Sequence, residues 1–185
     1  MYTPRLSLSL LLSVLSVNAI GAGGAENPSR PIREKLIMGW LESVYLRPWN
    51  LRVTAKLDTG AKTSSLHADN IEHFSHDGQD WVRFKLSGED SSKTPVTVEK
   101  PLVRTAWIKE RTSQSSKRVV VKLNLCKNGR EYETEFTLGD RSNFNYPVLL
   151  GRSFLENVAL VDAASTFVYK AETDPCKSVA SAPVK

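Results

Sequence analysis

From residue 36 onward, apolar and polar residues tend to alternate with a period of two. Val119, Val121, Leu123 and Leu125 recur with basic or polar residues between them, and Trp81, Phe84 and Leu86 are read the same way. Successive side chains of a strand point to opposite faces, so this rhythm predicts half-buried strands with one wet face. Seven segments fit: Leu36 to Leu46, Leu51 to Leu57, Trp81 to Leu86, Val96 to Trp107, Val119 to Cys126, Tyr132 to Leu138 and Val148 to Leu150. All are short, rich in β-branched and aromatic residues, and separated by turn formers. Lys127-Asn128-Gly129-Arg130 lies between two of them. An Asn-Gly pair in that setting predicts a two-residue hairpin turn, whose central residues both need positive φ. The one expected helix is short, Ser153 to Asn157, before Val158 resumes an extended pattern. Polar tracts at Ser87 to Pro95 and Glu110 to Lys117 read as loops.

The ends of the chain break this pattern. Arg5 precedes an apolar run, Leu6 to Val17, followed by the small residues Ala19, Ala22 and Ala25. That order predicts a secretory signal peptide over residues 1–25, and the run is too short to span a bilayer as a helix. Residues 26–35, with Pro28 and Pro31, read as a linker, residues 36–170 as one domain, and residues 171–185 as a flexible tail without periodicity. The expectation is an exported protein without stable membrane insertion, periplasmic in a Gram-negative cell.

Removing residues 1–25 takes away Arg5 and no acid, so the formal charge falls from +5 to +4 over the remaining 160 residues. A surplus this small, with acids interspersed, argues against a nucleic-acid partner and is modestly in favour of an acidic ligand. The two cysteines, Cys126 and Cys176, would meet an oxidising compartment, where a disulfide and two separate thiols stand equally open. Neither has a histidine nearby in sequence to make it a nucleophile.

Two motifs carry the candidate chemistry. Val53 to Leu57 is a strand that delivers Asp58 into Thr59-Gly60-Ala61, and alone this is ordinary turn chemistry. The second, Val148-Leu149-Leu150-Gly151-Arg152-Ser153-Phe154-Leu155, follows in the same chain. Together they resemble the retropepsin-like aspartic proteases. Leu57-Asp58-Thr59-Gly60-Ala61-Lys62-Thr63-Ser64-Ser65-Leu66-His67-Ala68 is similar to a bacterial branch of that family, earlier labelled ATP-dependent zinc proteases. The resemblance covers roughly Leu36 to Phe167 and implies a mainly β, closed-barrel acid-protease fold with one short helix after the second motif. The older label finds no support in the residues. Gly60-Ala61-Lys62-Thr63 lacks the leading glycine of a phosphate loop, and His67, His73 and His76 form no zinc-protease helix. His73, His76 and Asp77 read as surface polar residues rather than a zinc site, so no cofactor and no metal are expected.

An aspartic protease needs two carboxylates sharing one proton, one to activate water and one to protonate the carbonyl. The chain has one Asp-Thr-Gly and no second copy; Asp162-Ala163-Ala164 comes nearest and lacks the glycine. A two-fold homodimer would supply the partner, since an isologous interface sets identical residues face to face. The resemblance implies Asp58 as the catalytic carboxylate of an endopeptidase cutting a peptide or protein substrate. It implies Thr59 as a hydroxyl brace across the axis, Gly60 as the point of close substrate approach, and Ala61 as a small wall. A flap is expected between the motifs, with Pro95 to Lys117 as the candidate stretch. A retropepsin-like shell kept as a non-catalytic binding module is the alternative, because fold does not fix function.

Viral relatives usually carry an acid two residues after the glycine; here Lys62 stands there, with Arg152 in the second motif. Two readings stay open: Lys62 and Arg152 favour an acidic substrate, or Lys62 points to solvent. On the first reading Lys62→Glu shifts cleavage away from acidic peptides in a mixed-peptide assay. An unchanged preference removes it.

Overall fold

The alternating pattern folds into strands and one short helix, seen in a computed structural model that describes residues 34–90, 94–108, 115–169 and Cys176. The signal peptide, most of the linker and nearly all of the tail expected above lie outside the described residues. In chain order the elements are β1 (Leu36–Arg47), β2 (Leu51–Leu57), β3 (Ser64–His67), β4 (Asp69–His76), β5 (Gln79–Leu86) and β6 (Val96–Pro101). They continue as β7 (Arg104–Ile108), β8 (Ser116–Lys127), β9 (Arg130–Gly139), β10 (Val148–Leu150), α1 (Arg152–Val158) and β11 (Ala159–Thr166). No helix among the described residues is long and apolar enough to cross a membrane.

Strand β1 closes the barrel because it is long enough to serve three neighbours. Its first half runs parallel to β11, its second half pairs antiparallel with β2, and Tyr45 to Arg47 pair with β8. The ring is completed through β10, β3 and β9, giving a closed six-stranded barrel with the expected short helix after the second motif. The parallel pairing of β10 with β2 and its antiparallel pairing with β3 wedge the second motif between the strands that enter and leave the first. The barrel fills with the inward face of the alternation: Val53, Ala55 and Leu57 of β2, Val121, Leu123 and Leu125 of β8, and Phe136 and Leu138 of β9 are at most 4% exposed. Asn128 and Gly129 both take positive φ and join Lys127 to Arg130, the hairpin expected from the pair.

A three-stranded sheet, β4-β5-β6, packs on the barrel through Val82, Phe84, Leu86 and Val98. Here the structure departs from the sequence-based expectation at three points. The buried face of β5 is Val82, Phe84 and Leu86, and Trp81 lies on the other face, because a period of two cannot include both Trp81 and Phe84. Val96 to Trp107 is two strands rather than one: β6 pairs with β5, while β7 pairs with β8 in the barrel sheet. Pro101, lacking an N–H, ends the first. Strand β4 went unread because Asp69 to His76 is almost wholly polar, although Asp77 and Gly78, both at positive φ, form a second hairpin turn of the Asn-Gly kind.

Cys126, at the end of β8, is bonded to Cys176, with Cα atoms 6.1 Å apart. Of the two open readings of the cysteines, the structure takes the disulfide. Beside it lies a buried ion pair. Lys127 Nζ donates to Glu42 Oε2 at 2.6 Å, and the other carboxylate oxygen accepts the N–H groups of Gly39 and Val168 at 2.8 and 3.0 Å. Lys127 also donates to the Ser43 carbonyl at 3.1 Å. These bonds tie the irregular start of β1, the end of β8 and the chain beyond β11 into one node. Burial pushes the Lys127 ammonium below the ordinary lysine range, and the Glu42 carboxylate opposes that shift.

Removing one partner strands the other charge in the interior. Glu42→Gln is therefore expected to cost about 3–5 kcal/mol in urea unfolding, with Glu42→Gln/Lys127→Met recovering much of the loss.

Candidate active site

The inward positions of β2 end at Leu57, which puts Asp58 just past the strand. Its N–H donates to the Leu150 carbonyl at 2.9 Å, continuing the β2–β10 ladder by one bond. The chain then turns sharply: Ala61 N–H reaches the Asp58 carbonyl at 3.2 Å, and Gly60 N–H donates to Asp58 Oδ1 at 2.9 Å. The carboxylate is thereby held by its own turn and stays 28% exposed, open to one side. Lys56, two residues earlier on the same strand face, brings Nζ to 3.6 Å from Asp58 Oδ2. The Thr59 hydroxyl meets no hydrogen-bond partner among the described residues.

Behind the turn sits the start of α1. Helices begin with unsatisfied N–H groups, and no side chain caps this one. Instead Arg152 N–H and Ser153 N–H donate to the Ala61 and Lys62 carbonyls at 2.9 and 3.0 Å. Gly151 N–H donates to Ser64 Oγ at 3.1 Å, and the Thr137 hydroxyl fixes the Ser64 carbonyl. The backbones approach so closely that a Cβ on Gly151 would sit 2.6 Å from the Thr63 carbonyl oxygen. From the helix, Arg152 Nη1 reaches back to the Thr59 and Gly60 carbonyls at 3.0 and 2.8 Å. The guanidinium of Arg152 thus holds the Asp-Thr-Gly turn, and it lines neither cavity described below.

Two cavities adjoin the turn. The smaller, about 400 Å³, is bounded by Asp58, Lys56, Trp40 and Tyr146. The larger, about 1270 Å³, runs past Ala61 and Lys62 along β7. Arg141, Phe144 and Leu149 line both. Lys62, Arg104, Arg118 and Arg141 all line the larger groove, against Asp140 as its one acid among the described lining residues. Arg104 already has a partner in Glu135 at 2.7 Å. The expected flap stretch supplies the far wall: β7 and β8 form a hairpin over the groove, with Trp107 69% exposed, and residues 109–114 at its tip lie outside the described residues.

The loop between β9 and β10 completes the site. His67 Nδ1 accepts the Arg141 N–H at 2.8 Å. Asp140 Oδ1 accepts the Ser142 N–H at 2.8 Å, and that bond, with help from the Ser142 hydroxyl, holds the Asp140 carboxyl below the usual carboxylate range. Of the residues singled out from sequence, Asp58, Thr59, Gly60, Ala61, Lys62 and Arg152 come together around one turn. Arg141 was missed, since an arginine in the polar stretch Asp140 to Asn145 carries no sign of burial. Ser64 was quoted in the motif without a role. His73 and His76 lie on β4, and no three potential metal ligands cluster among the described residues.

Comparison with known proteins places this geometry. The family model described as RimB-like, retropepsin-like aspartic endopeptidase RimB, matches residues 37–172. A probable alpha-L-glutamate ligase of Shewanella pealeana is 37% identical over 116 residues, which are 62% of this chain and 25% of that protein. A protein of the same name from Desulfotalea psychrophila is 34% identical over 113 residues, 60% of this chain and 24% of that protein. The chain thus spans about a quarter of the length of these relatives. The crystal structure of a Legionella pneumophila protein of unknown function superposes with a TM-score of 0.64 at 34% identity, covering 74% of this chain and all of that one.

The contact at Gly151 generates a stability prediction. Gly151→Ala must push the Lys62–Thr63 backbone away from the helix, at a cost of about 1–3 kcal/mol in denaturant unfolding. An unchanged midpoint would mean that the turn is not docked as described.

Proposed function

Since the chain belongs to the RimB-like family of retropepsin-like aspartic endopeptidases, we propose that it hydrolyses peptide bonds with Asp58 paired to its copy in a homodimer. The observation that carries this reading is the Asp58 turn itself: a carboxylate fixed through Oδ1 by Gly60 N–H, open on one side and braced from behind by Arg152. One such carboxylate is half of the chemistry. Two brought together by a two-fold axis share a proton, because like charges at contact distance do not both ionise cheaply. One carboxylate then takes a proton from the attacking water while the other protonates the scissile carbonyl oxygen. The resulting tetrahedral species collapses by returning a proton to the leaving amine. Thr59, exposed at the tip, is the proposed brace between the two turns.

The substrate we propose is an acidic peptide. Lys62, Arg118 and Arg141 line the groove beside the turn, and the relatives named as glutamate ligases handle an acidic amino acid. The sequence-based expectations of export through residues 1–25 and a periplasmic location belong to the same proposal. A second reading, a non-catalytic module that holds acidic peptides, draws on those ligase names, because there the matching region is only a quarter of the protein.

The two readings part in one assay. Cleavage of a diverse peptide mixture by the chain without residues 1–25 should persist with a chelator and fall by at least about a thousandfold in Asp58→Asn. Binding of acidic peptides without cleavage, from folded protein across acidic to neutral pH, favours the module. Equal cleavage by Asp58→Asn removes Asp58 from the mechanism.

A further inference from the structure

Arg141 is an expensive residue to keep where it is. The residue is only 7% exposed, yet no carboxylate among the described residues pairs with it. Its guanidinium is held in one place: Nε donates to the Tyr146 carbonyl at 3.3 Å, Nη1 donates to Ser65 Oγ at 2.7 Å, and the plane lies 4.6 Å over the Phe144 ring. Arginine carries five N–H donors, and these bonds use two of them. Ser65 is itself fixed by β3, whose register sets it opposite Leu149. A desolvated cation without a counterion destabilises a fold unless something compensates it. Burial and the neighbouring Arg118 charge push the guanidinium below the ordinary arginine range, and the charge of Asp58 acts in the opposite sense. Arg141 therefore lies in the field of the candidate catalytic carboxylate, lining both cavities that meet beside it.

We infer that Arg141 is the specificity-determining residue of this site, receiving a side-chain carboxylate of the substrate residue that lies next to the scissile bond. A planar guanidinium already fixed by Ser65, Tyr146 and Phe144 offers its remaining donors as a fork, the geometry that matches a carboxylate. Such a site discriminates steeply. A glutamine in place of glutamate leaves the buried cation unpaired, so the penalty falls on the wrong substrate rather than being shared. Lys62, exposed at the groove, attracts acidic chains at longer range, whereas Arg141 reads one position. The inference rests on the proposed role of Asp58 only for where the scissile bond lies.

The test uses binding in the silenced Asp58→Asn chain, so that it does not depend on cleavage. The probes are two fluorescent hexapeptides, identical except for glutamate or glutamine at alternate positions. We expect the glutamate peptide to bind about tenfold to a hundredfold more tightly, the range of a charge-assisted hydrogen bond. Added Arg141→Met abolishes that ratio, and Arg141→Lys restores part of it. Lys85→Met, the same charge change on the exposed face of β5, leaves it unaltered. Should Arg141→Met not fold, Phe144→Ala, at a position itself 59% exposed, removes the ring that stacks on Arg141 and narrows the ratio. The inference is overturned if the parent shows no preference for glutamate. It is equally overturned if folded Arg141→Met keeps the ratio or weakens both peptides alike, or if Phe144→Ala, used in its place, leaves the ratio unchanged. Failure of Asp58 as the cutting residue would show as cleavage surviving Asp58→Asn, with the binding ratio intact.

Discussion

Everything at the site depends on how closely two stretches of backbone come together at Gly151. A hydrogen in place of a side chain lets residues 61–63 lie directly on the start of α1. In that position the Ala61 and Lys62 carbonyls satisfy helix N–H groups that would otherwise be bare, and Arg152 is delivered to the Thr59 and Gly60 carbonyls. The helix thus holds the turn and the turn caps the helix, and neither is defined without the other. Strand β10 makes the arrangement obligatory, because it runs between β2 and β3 and leads straight into Gly151. A carboxylate at the end of an ordinary strand would sample many rotamers. Here Asp58 is fixed by its own Gly60 N–H within a turn that cannot shift unless a helix moves.

Charge is distributed on two different principles. The Glu42–Lys127 pair is buried, nearly saturated with hydrogen bonds and remote in function, joining three elements next to the disulfide. Arg141 is also buried but pairs with no acid among the described residues, and it lies against the cavities rather than inside the core. A charge that the fold neutralises serves the fold. One that it leaves for a ligand serves recognition, and the contrast between these two sites separates scaffold from candidate function.

Much of this was legible in the order of residues. The alternation in β2, β8 and β9 marked the barrel walls, Asn128-Gly129 marked a hairpin, and the pairing of Asp58-Thr59-Gly60 with Leu149-Leu150-Gly151-Arg152 marked the fold. What escaped was long-range. Arg152 and Lys62 looked alike as cations near a turn, but only the three-dimensional path shows that one grips backbone while the other lines the groove. Glu42 sits within an apolar strand whose pattern gives no hint of Lys127, 85 residues away. Strand β4 was missed because its residues pack against little and so carry no hydrophobic rhythm. Local periodicity reports which face is buried, and it cannot report which distant group a buried charge will meet.

In the proposed homodimer one Asp58 does nothing by itself, and two facing each other across the symmetry axis cut. Mixing wild-type chain with Asp58→Asn under conditions of subunit exchange tests this directly, at fixed total protein. If the cut requires both carboxylates, activity falls with the square of the wild-type fraction, to about a quarter in an equal mixture. A linear fall, to about half, would mean that each chain acts alone and would contradict the paired-carboxylate mechanism.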